Sequence, residues 1–348
     1  MKGMMKAAVM SGVGNMTFEQ RPIPTPKPDE VLVKIEYCGV CGSDLHYFFH
    51  GGVGDNVVKG PVVLGHEAGG LVVEVGSEVS HLKAGDRVAL EPGKTCGKCE
   101  FCQKGLYNLC RSVVFFATPP VDGTFREYVA HEAKLCFKLP ENVSTMEGAL
   151  IEPLAVGFHA AMEGGAQFGQ TAVVMGAGCI GLCSLLALKA RGVTQVYVVD
   201  IMQTRLERAM ALGATGVINS ANEDALEAIL RVTQGKGADL LIETAGAEAT
   251  AQLCIRAARA AGTVVWVGHS PTGMFNIPMS AAMNKELTFK TIFRYRHIYP
   301  LAIRAVADGV LPLDKLASHT FAFEDIQNAM EQSQSNKAEV VKAVIAFS

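Results

Sequence analysis

Four cysteines stand at Cys96, Cys99, Cys102 and Cys110, a C-x2-C-x2-C-x7-C run. Thiolates two residues apart in one short loop can converge on a single tetrahedral ion, and four of them close its coordination shell. A closed shell leaves no position for substrate, so this metal is structural and any chemistry has to lie elsewhere. Disulfides are the alternative use of such a run. The N-terminus, MKGMMKAAVM, lacks the apolar stretch of a secretion signal, and the expectation is a reduced, cytoplasmic protein. No later apolar run reaches the ~18 residues of a membrane span.

The 348 residues suffice for about two domains, and 36 glycines with 49 % hydrophobic content fit a turn-rich α/β chain. A net charge of −3 offers no general attraction for nucleic acid or anionic lipid, so the expected partner is a small molecule. Up to about Pro153, short apolar segments at 31–37, 70–75, 87–90 and 125–130 are separated by glycine and proline, which predicts a β-rich domain of barrel or sandwich type. Beyond about Ala155, apolar runs at 171–175, 195–199, 239–242 and 263–267 alternate with helical stretches at 180–191, 203–212 and 247–260. That alternation predicts βαβ units around a parallel sheet, with 287–292 as a further strand. The last apolar run, 340–347, is expected to return as a strand to the first domain.

Gly176-Ala-Gly178-Cys-Ile180-Gly181 follows the run TAVVM and opens a helix. Glycines there let the backbone turn tightly and approach a pyrophosphate, which the helix N-terminus favours electrostatically. The next strand, VYVVD, ends in Asp200, whose carboxylate can accept both ribose hydroxyls of NAD and would repel the 2′-phosphate of NADP. Arg205 can rest against the adenine or ribose, or face Glu207 as a solvated helix charge. Asp200 could instead be the N-cap of the helix that begins near Gln203.

A thiol, an imidazole and carboxylates occur at Cys41, His66, Glu67 and Glu152. Zinc acting as a Lewis acid takes about three protein ligands and one open position, a count met by Cys41, His66 and either glutamate. Cys38, three residues before Cys41, reads as a core cysteine.

The segments G-V-C-G-S-D-L-H-Y and G-H-E-A-G-G, with the four-cysteine run, resemble the zinc-dependent medium-chain alcohol dehydrogenases over essentially the whole chain. F-F-A-T-P-P-V-D-G-T-F, A-L-I-E-P-L-A-V-G and F-R-Y-R-H-I-Y-P look like the sorbitol/xylitol branch of that family. The resemblance implies a GroES-like catalytic domain over 1–154 and 297–348 with a structural zinc lobe at 92–112, and a Rossmann NAD domain over 155–296. It implies two zincs per chain, one structural and one catalytic. Cys41, His66 and Glu67 would hold the catalytic ion, while Glu152 binds its water or enters the shell transiently. Ser43 and His46 match a proton path through the cofactor ribose to solvent.

The activity so implied is that of an L-iditol 2-dehydrogenase or xylitol dehydrogenase, oxidising a polyol to a ketose. A polyol needs hydroxyl partners besides the metal, and Tyr47, Glu152, Arg294 and Tyr295 can supply them. Phe115 and Thr118 match the family segment that borders the substrate, although the Phe115-Phe116 pair also suits plain core packing. The resemblance implies a homotetramer, and a strand-like segment near 274–278 could pair between its subunits. A threonine or butanediol dehydrogenase, and a non-catalytic zinc- and NAD-binding sensor or interaction protein, are the competing readings.

Overall fold

The computed structural model describes residues 2–270 and 273–347. The chain divides into two compact units, one of Met1–Glu152, Tyr299–Gly309 and Leu313–Ser348, the other of Pro153–Ile298 and Val310–Pro312. Among the described residues no helix is long and apolar enough to cross a membrane.

The first unit is built on a seven-stranded sheet whose centre is the strand Glu30–Gly39. Glu67–Val75 pairs with it antiparallel, Ala343–Ala346 pairs with its far end, and Tyr128–Glu132 with its near end. The C-terminal run thus closes onto the first domain's central strand, some 300 residues away along the chain. A second sheet of Asn15–Pro22, Met4–Gly12 and Val62–Val63 completes a core that holds Val31, Val33, Ile35, Phe48, Leu64 and Phe125. In the run expected as a strand over 125–130, Arg126 bridges Ala7 of the second sheet and the ladder to Glu30–Gly39 begins at Tyr128. Phe125 is fully buried and its amide donates to the Leu64 carbonyl, so its side chain fills the core ahead of the ladder.

The second unit is a six-stranded parallel sheet in the order Gly216–Asn219, Gln195–Asp200, Thr171–Met175, Ala238–Glu243, Ala258–Trp266, Thr288–Thr291. Its continuous apolar strands, among them Val173, Met175, Leu241 and Val264, are those of a sheet covered on both faces. The alanine-rich stretch at 247–260 is helical only over Glu248–Ala257, because Ala258 already opens the next strand. Residues 274–278, expected to be strand-like, form no strand. There the Asn276 amide and side chain donate to Glu248 Oε2 at 3.2 and 3.0 Å, and Gln252 donates to the Asn276 carbonyl at 2.8 Å, so helix side chains take the place of a ladder.

One helix, Thr145–Glu163, carries the chain across the division at Glu152. It runs through Pro153, which lacks the N–H that would bond the carbonyl four residues back and normally disfavours a helix interior by about 3 kcal/mol. Complete burial of Leu150, Ile151, Leu154 and Ala155 offsets that cost. Its first turn lies so close to the strand Glu67–Val75 that a Cβ on Gly69 would strike the Thr145 carbonyl and the Ala149 amide. Backbone cannot swing aside as a side chain can. Gly69→Ala is therefore expected to lower stability by about 2 kcal/mol or more, read as a fall of roughly 5 °C in the unfolding midpoint. A midpoint within a degree of the parent would refute this packing.

Candidate active site and metal centres

The strand Glu30–Gly39 ends beside the strand that opens at Glu67, with Gly39 and Glu67 directly opposed. A Cβ at Gly39 would collide with Glu67 Oε2, so glycine is required for the carboxylate to lie where it does. Two residues on, Cys41 is the N-cap of the helix Gly42–His50. That start is fixed by Asp44, fully buried, which accepts from the Cys41 amide through Oδ2 and the Gly65 amide through Oδ1, both at 3.0 Å. The same Oδ1 lies 3.6 Å from His66 Nδ1. One buried carboxylate thus ties together the two loops that present Cys41 and His66.

Cys41, His66 and Glu67 each offer a ligand atom, and these atoms lie within 4.8 Å of one another. Glu152 is buried but is not part of that cluster, so the geometry groups the metal-type donors around Glu67 and not Glu152. The donors fit a zinc ion in kind and number: one sulfur, one nitrogen and one oxygen, leaving a fourth position for another ligand. Asp44 on the Nδ1 side of His66 leaves Nε2 as the nitrogen to face a metal. Burial works against the charged forms of both groups, but each stabilises the other. Asp44 sits below the ordinary aspartate range, with His66 and two amides outweighing its desolvation. His66 is lifted well above the histidine range by Asp44 and Cys41.

Behind Glu67 stands Lys342, 2 % exposed, whose ammonium contacts Glu67 Oε2 and donates to the Val40 carbonyl at 2.9 Å. Its backbone is fixed by Ser318, whose hydroxyl accepts from the Lys342 amide and donates to its carbonyl. Asp44, Gly39 and Lys342 were not singled out from sequence. The motif G-S-D-L-H marks Asp44 as a helix-start acid, but nothing local marks Lys342, which is 275 positions from the residue it faces.

Phe115 stands 5.6 Å, ring to ring, from His66, whereas Phe116 is buried against His131 at 4.7 Å. Phe115 therefore borders the metal cluster and Phe116 serves the core. Thr118 follows in the same loop, its amide donating to the Phe115 carbonyl at 3.2 Å. On the helix Gly42–His50, Tyr47 is buried, Ser43 half-buried and His46 exposed. Arg294 and Tyr295 belong to the other unit, past its edge strand. Arg294 has a left-handed φ of 55° and lies 4.7 Å over the Phe293 ring, and Tyr295 is buried.

The four cysteines of the lobe also converge within 4.8 Å, unpaired by disulfides. Their sulfurs are separated by 3.5 Å for Cys99–Cys102, 3.6 Å for Cys96–Cys110 and 4.0 Å for Cys96–Cys102. A tetrahedron with Zn–S arms of about 2.3 Å has edges near 3.8 Å. Backbone amides of Lys98 and Cys99 aimed at Cys96 bring that thiol down to about 6, toward the thiolate a metal requires. Inside the lobe, Tyr107 donates its hydroxyl to Glu91 Oε1 at 2.9 Å. Glu91 is buried, and desolvation, with the nearby Glu152 charge adding, pushes it up to about 7 against the Tyr107 hydrogen bond. Glu91 thus links the lobe to the electrostatic surroundings of Glu152.

In the second unit, Gly176 has φ 100°, and a Cβ on Gly181 would overlap the Gly176 carbonyl, so both glycines are required by the turn itself. A Cβ on Gly178 would meet only Arg205 Nη1, at an ordinary contact distance of 3.8 Å, so the turn itself does not require that glycine. Ile180 lies in the first turn of the helix Cys179–Ala190. Asp200 accepts from the Ala177 amide at 2.7 Å and the Met202 amide at 2.9 Å. Met202, not Asp200, is the N-cap of the helix Gln203–Ala211. Arg205 Nη1 lies beside Gly178 of the glycine turn, and Gln203 donates to Glu207 Oε1 at 3.3 Å.

Residues 27–141 match the alcohol dehydrogenase GroES-like domain, and residues 179–308 match the zinc-binding dehydrogenase domain. The chain is 41 % identical to the sorbitol dehydrogenase of Bacillus subtilis, covering 98 % of this chain and 97 % of that one. It is 44 % identical to the human sorbitol dehydrogenase over 93 % and 91 % of the two chains. A crystal structure of an Escherichia coli oxidoreductase of unknown specificity superposes with a TM-score of 0.96 at 41 % identity, covering 99 % of this chain and all of the other. The chain belongs to the zinc-binding, medium-chain alcohol dehydrogenase family.

Two variants probe the buried charges. Lys342→Met leaves Glu67 buried and unpaired and is expected to cost about 3–5 kcal/mol in denaturant unfolding of the zinc-free protein. Adding Glu67→Gln should restore most of the loss, and additive losses would show that the two do not interact. Glu91→Gln keeps the acceptor for Tyr107 but removes the titration. Because the folded pKa is raised, the stability that Glu91 contributes is present below about 4.5 and lost as pH rises toward 7. The variant should therefore gain on the parent by on the order of 2 kcal/mol between pH 5 and pH 8. A pH-independent difference would contradict that placement of Glu91.

Proposed function

We propose that the chain oxidises a polyol of the sorbitol or xylitol type at C2 to the ketose, transferring a hydride to NAD. The convergence of Cys41, His66 and Glu67, with Glu152 outside their cluster, carries this reading, and the sorbitol dehydrogenase relatives support it. Cys41, His66 and Glu67 would hold one zinc, and Cys96, Cys99, Cys102 and Cys110 a second that serves only the lobe. When bound, the catalytic zinc supplies Lewis acidity toward a substrate hydroxyl, and the nicotinamide supplies the hydride acceptor.

The chain's own residues do the remaining work. Asp44 orients His66, and Lys342 balances the charge of Glu67, so contacts within the chain hold the donor set in place. Glu152, buried and outside the cluster, is the carboxylate that the family resemblance assigns to the substrate hydroxyl or its water. Ser43, half-buried, and His46, exposed on the same helix, lead from interior to solvent and can carry the proton that an alcohol must lose. Phe115 supplies an apolar wall beside His66, Tyr47 and Thr118 offer hydroxyl partners for a substrate with several hydroxyls, and Arg294 and Tyr295 join them only by the family resemblance. Asp200 favours NAD, since a carboxylate at the end of the second strand repels a 2′-phosphate.

NADH formation at 340 nm with sorbitol, xylitol, galactitol, threonine, 2,3-butanediol and ethanol tests the reading. The expected result is turnover of polyols with NAD, more than about tenfold lower with NADP, abolished by chelation and restored by zinc. Cys41→Ser should lose it at least about a hundredfold, whereas Glu152→Gln should retain bound zinc while losing turnover. Turnover of threonine or butanediol alone would reject the polyol pocket.

A further inference from the structure

The helix Gly42–His50 buries one face through Asp44, Tyr47 and Phe48, and its opposite face is exposed. On the exposed face stand His46 and His50, four positions apart, with ring centroids 5.7 Å apart and planes inclined by 42°. Residues at that spacing lie one above the other on a helix, and a His-x3-His pair so placed can aim two imidazole nitrogens at one ion. Two features hold the pair in that arrangement, and a third favours a cation there. The buried face anchors the helix in the core. Gly51, in the left-handed conformation at φ 71°, donates its amide to the Tyr47 carbonyl and keeps His50 inside the last helical turn. The partial negative charge of the helix C-terminus favours a cation beside His50.

We infer that His46 and His50 form a third, surface metal site that takes a divalent transition-metal ion, separate from the Cys41 cluster and the cysteine lobe. Imidazole suits nickel, copper and zinc, whereas the absence of carboxylates from the pair disfavours magnesium and calcium. Water completes the shell, so the site is weaker than either buried one and fills only after them. Occupation removes the nitrogen lone pair on which proton transfer through His46 depends. The site therefore works as a brake: excess metal inhibits an enzyme that needs metal to act. This consequence rests on the proton-path role proposed above for His46, whereas the metal site itself rests on the helix geometry alone.

The test uses zinc-loaded full-length protein and nickel as the probe. Equilibrium dialysis should show one nickel ion per chain with the zinc content unchanged, and His50→Gln should weaken that binding by roughly tenfold or more. The variant should turn over normally without nickel and escape the inhibition that nickel imposes on the parent. Nickel binding that is absent from the parent, or equal in parent and variant, overturns the site. Binding that His50→Gln abolishes but that leaves the parent's turnover untouched upholds the site and removes His46 from the proton path.

Discussion

A lone carboxylate moved out of water into a protein interior costs several kcal/mol even after relaxation, and Glu67 is 1 % exposed. Its position is tenable because the Lys342 ammonium meets it, and that lysine arrives from the far end of the chain. The other features of the first unit follow from this pairing. Gly39 has to be glycine to leave room for the carboxylate, the strand Ala343–Ala346 has to lie against Glu30–Gly39 to deliver the lysine, and Ser318 has to clamp the lysine's backbone. Opposite charges so buried attract strongly only with good geometry, which is why secondary structure and not flexible loops carries them.

A second carboxylate organises the other side of the cluster. Asp44 spends its two oxygens on the amides of Cys41 and Gly65 and on the edge of His66, which fixes the helix start and the imidazole together. Sulfur, nitrogen and oxygen donors are thereby held within 4.8 Å of one another by contacts of the chain itself. The cysteine lobe is not isolated from this arrangement. Tyr107 reaches out of it to Glu91, whose charge is coupled to that of Glu152.

Much of this was legible in the sequence, for reasons that differ from feature to feature. The cysteine run and the glycine turn are local, and their residues lie within one loop, so spacing alone limits where their side chains can point. The parallel sheet was legible because strands covered on both faces must be apolar throughout, and the runs at 171–175 and 195–199 coincide with strands. The helix Thr145–Glu163 was not, since Pro153 and two internal glycines argue against it and only burial overrides them. The segment 274–278 forms no strand within one chain. The polar groups of Asn276 are taken there by Glu248 and Gln252.

The sequence by itself determined the chemistry available: four thiolates for one closed metal shell, a glycine turn followed by an acid for a dinucleotide, and a thiol, an imidazole and two carboxylates for a second metal. Those properties belong to residue types and short spacings, which survive without knowledge of the fold. Tertiary structure decided which carboxylate joins Cys41 and His66, which of Phe115 and Phe116 faces them, and which residues neutralise the buried charges. Each of these depends on distances between segments far apart in the chain, and such distances are set by strand register and core packing, to which the local pattern of residues is blind.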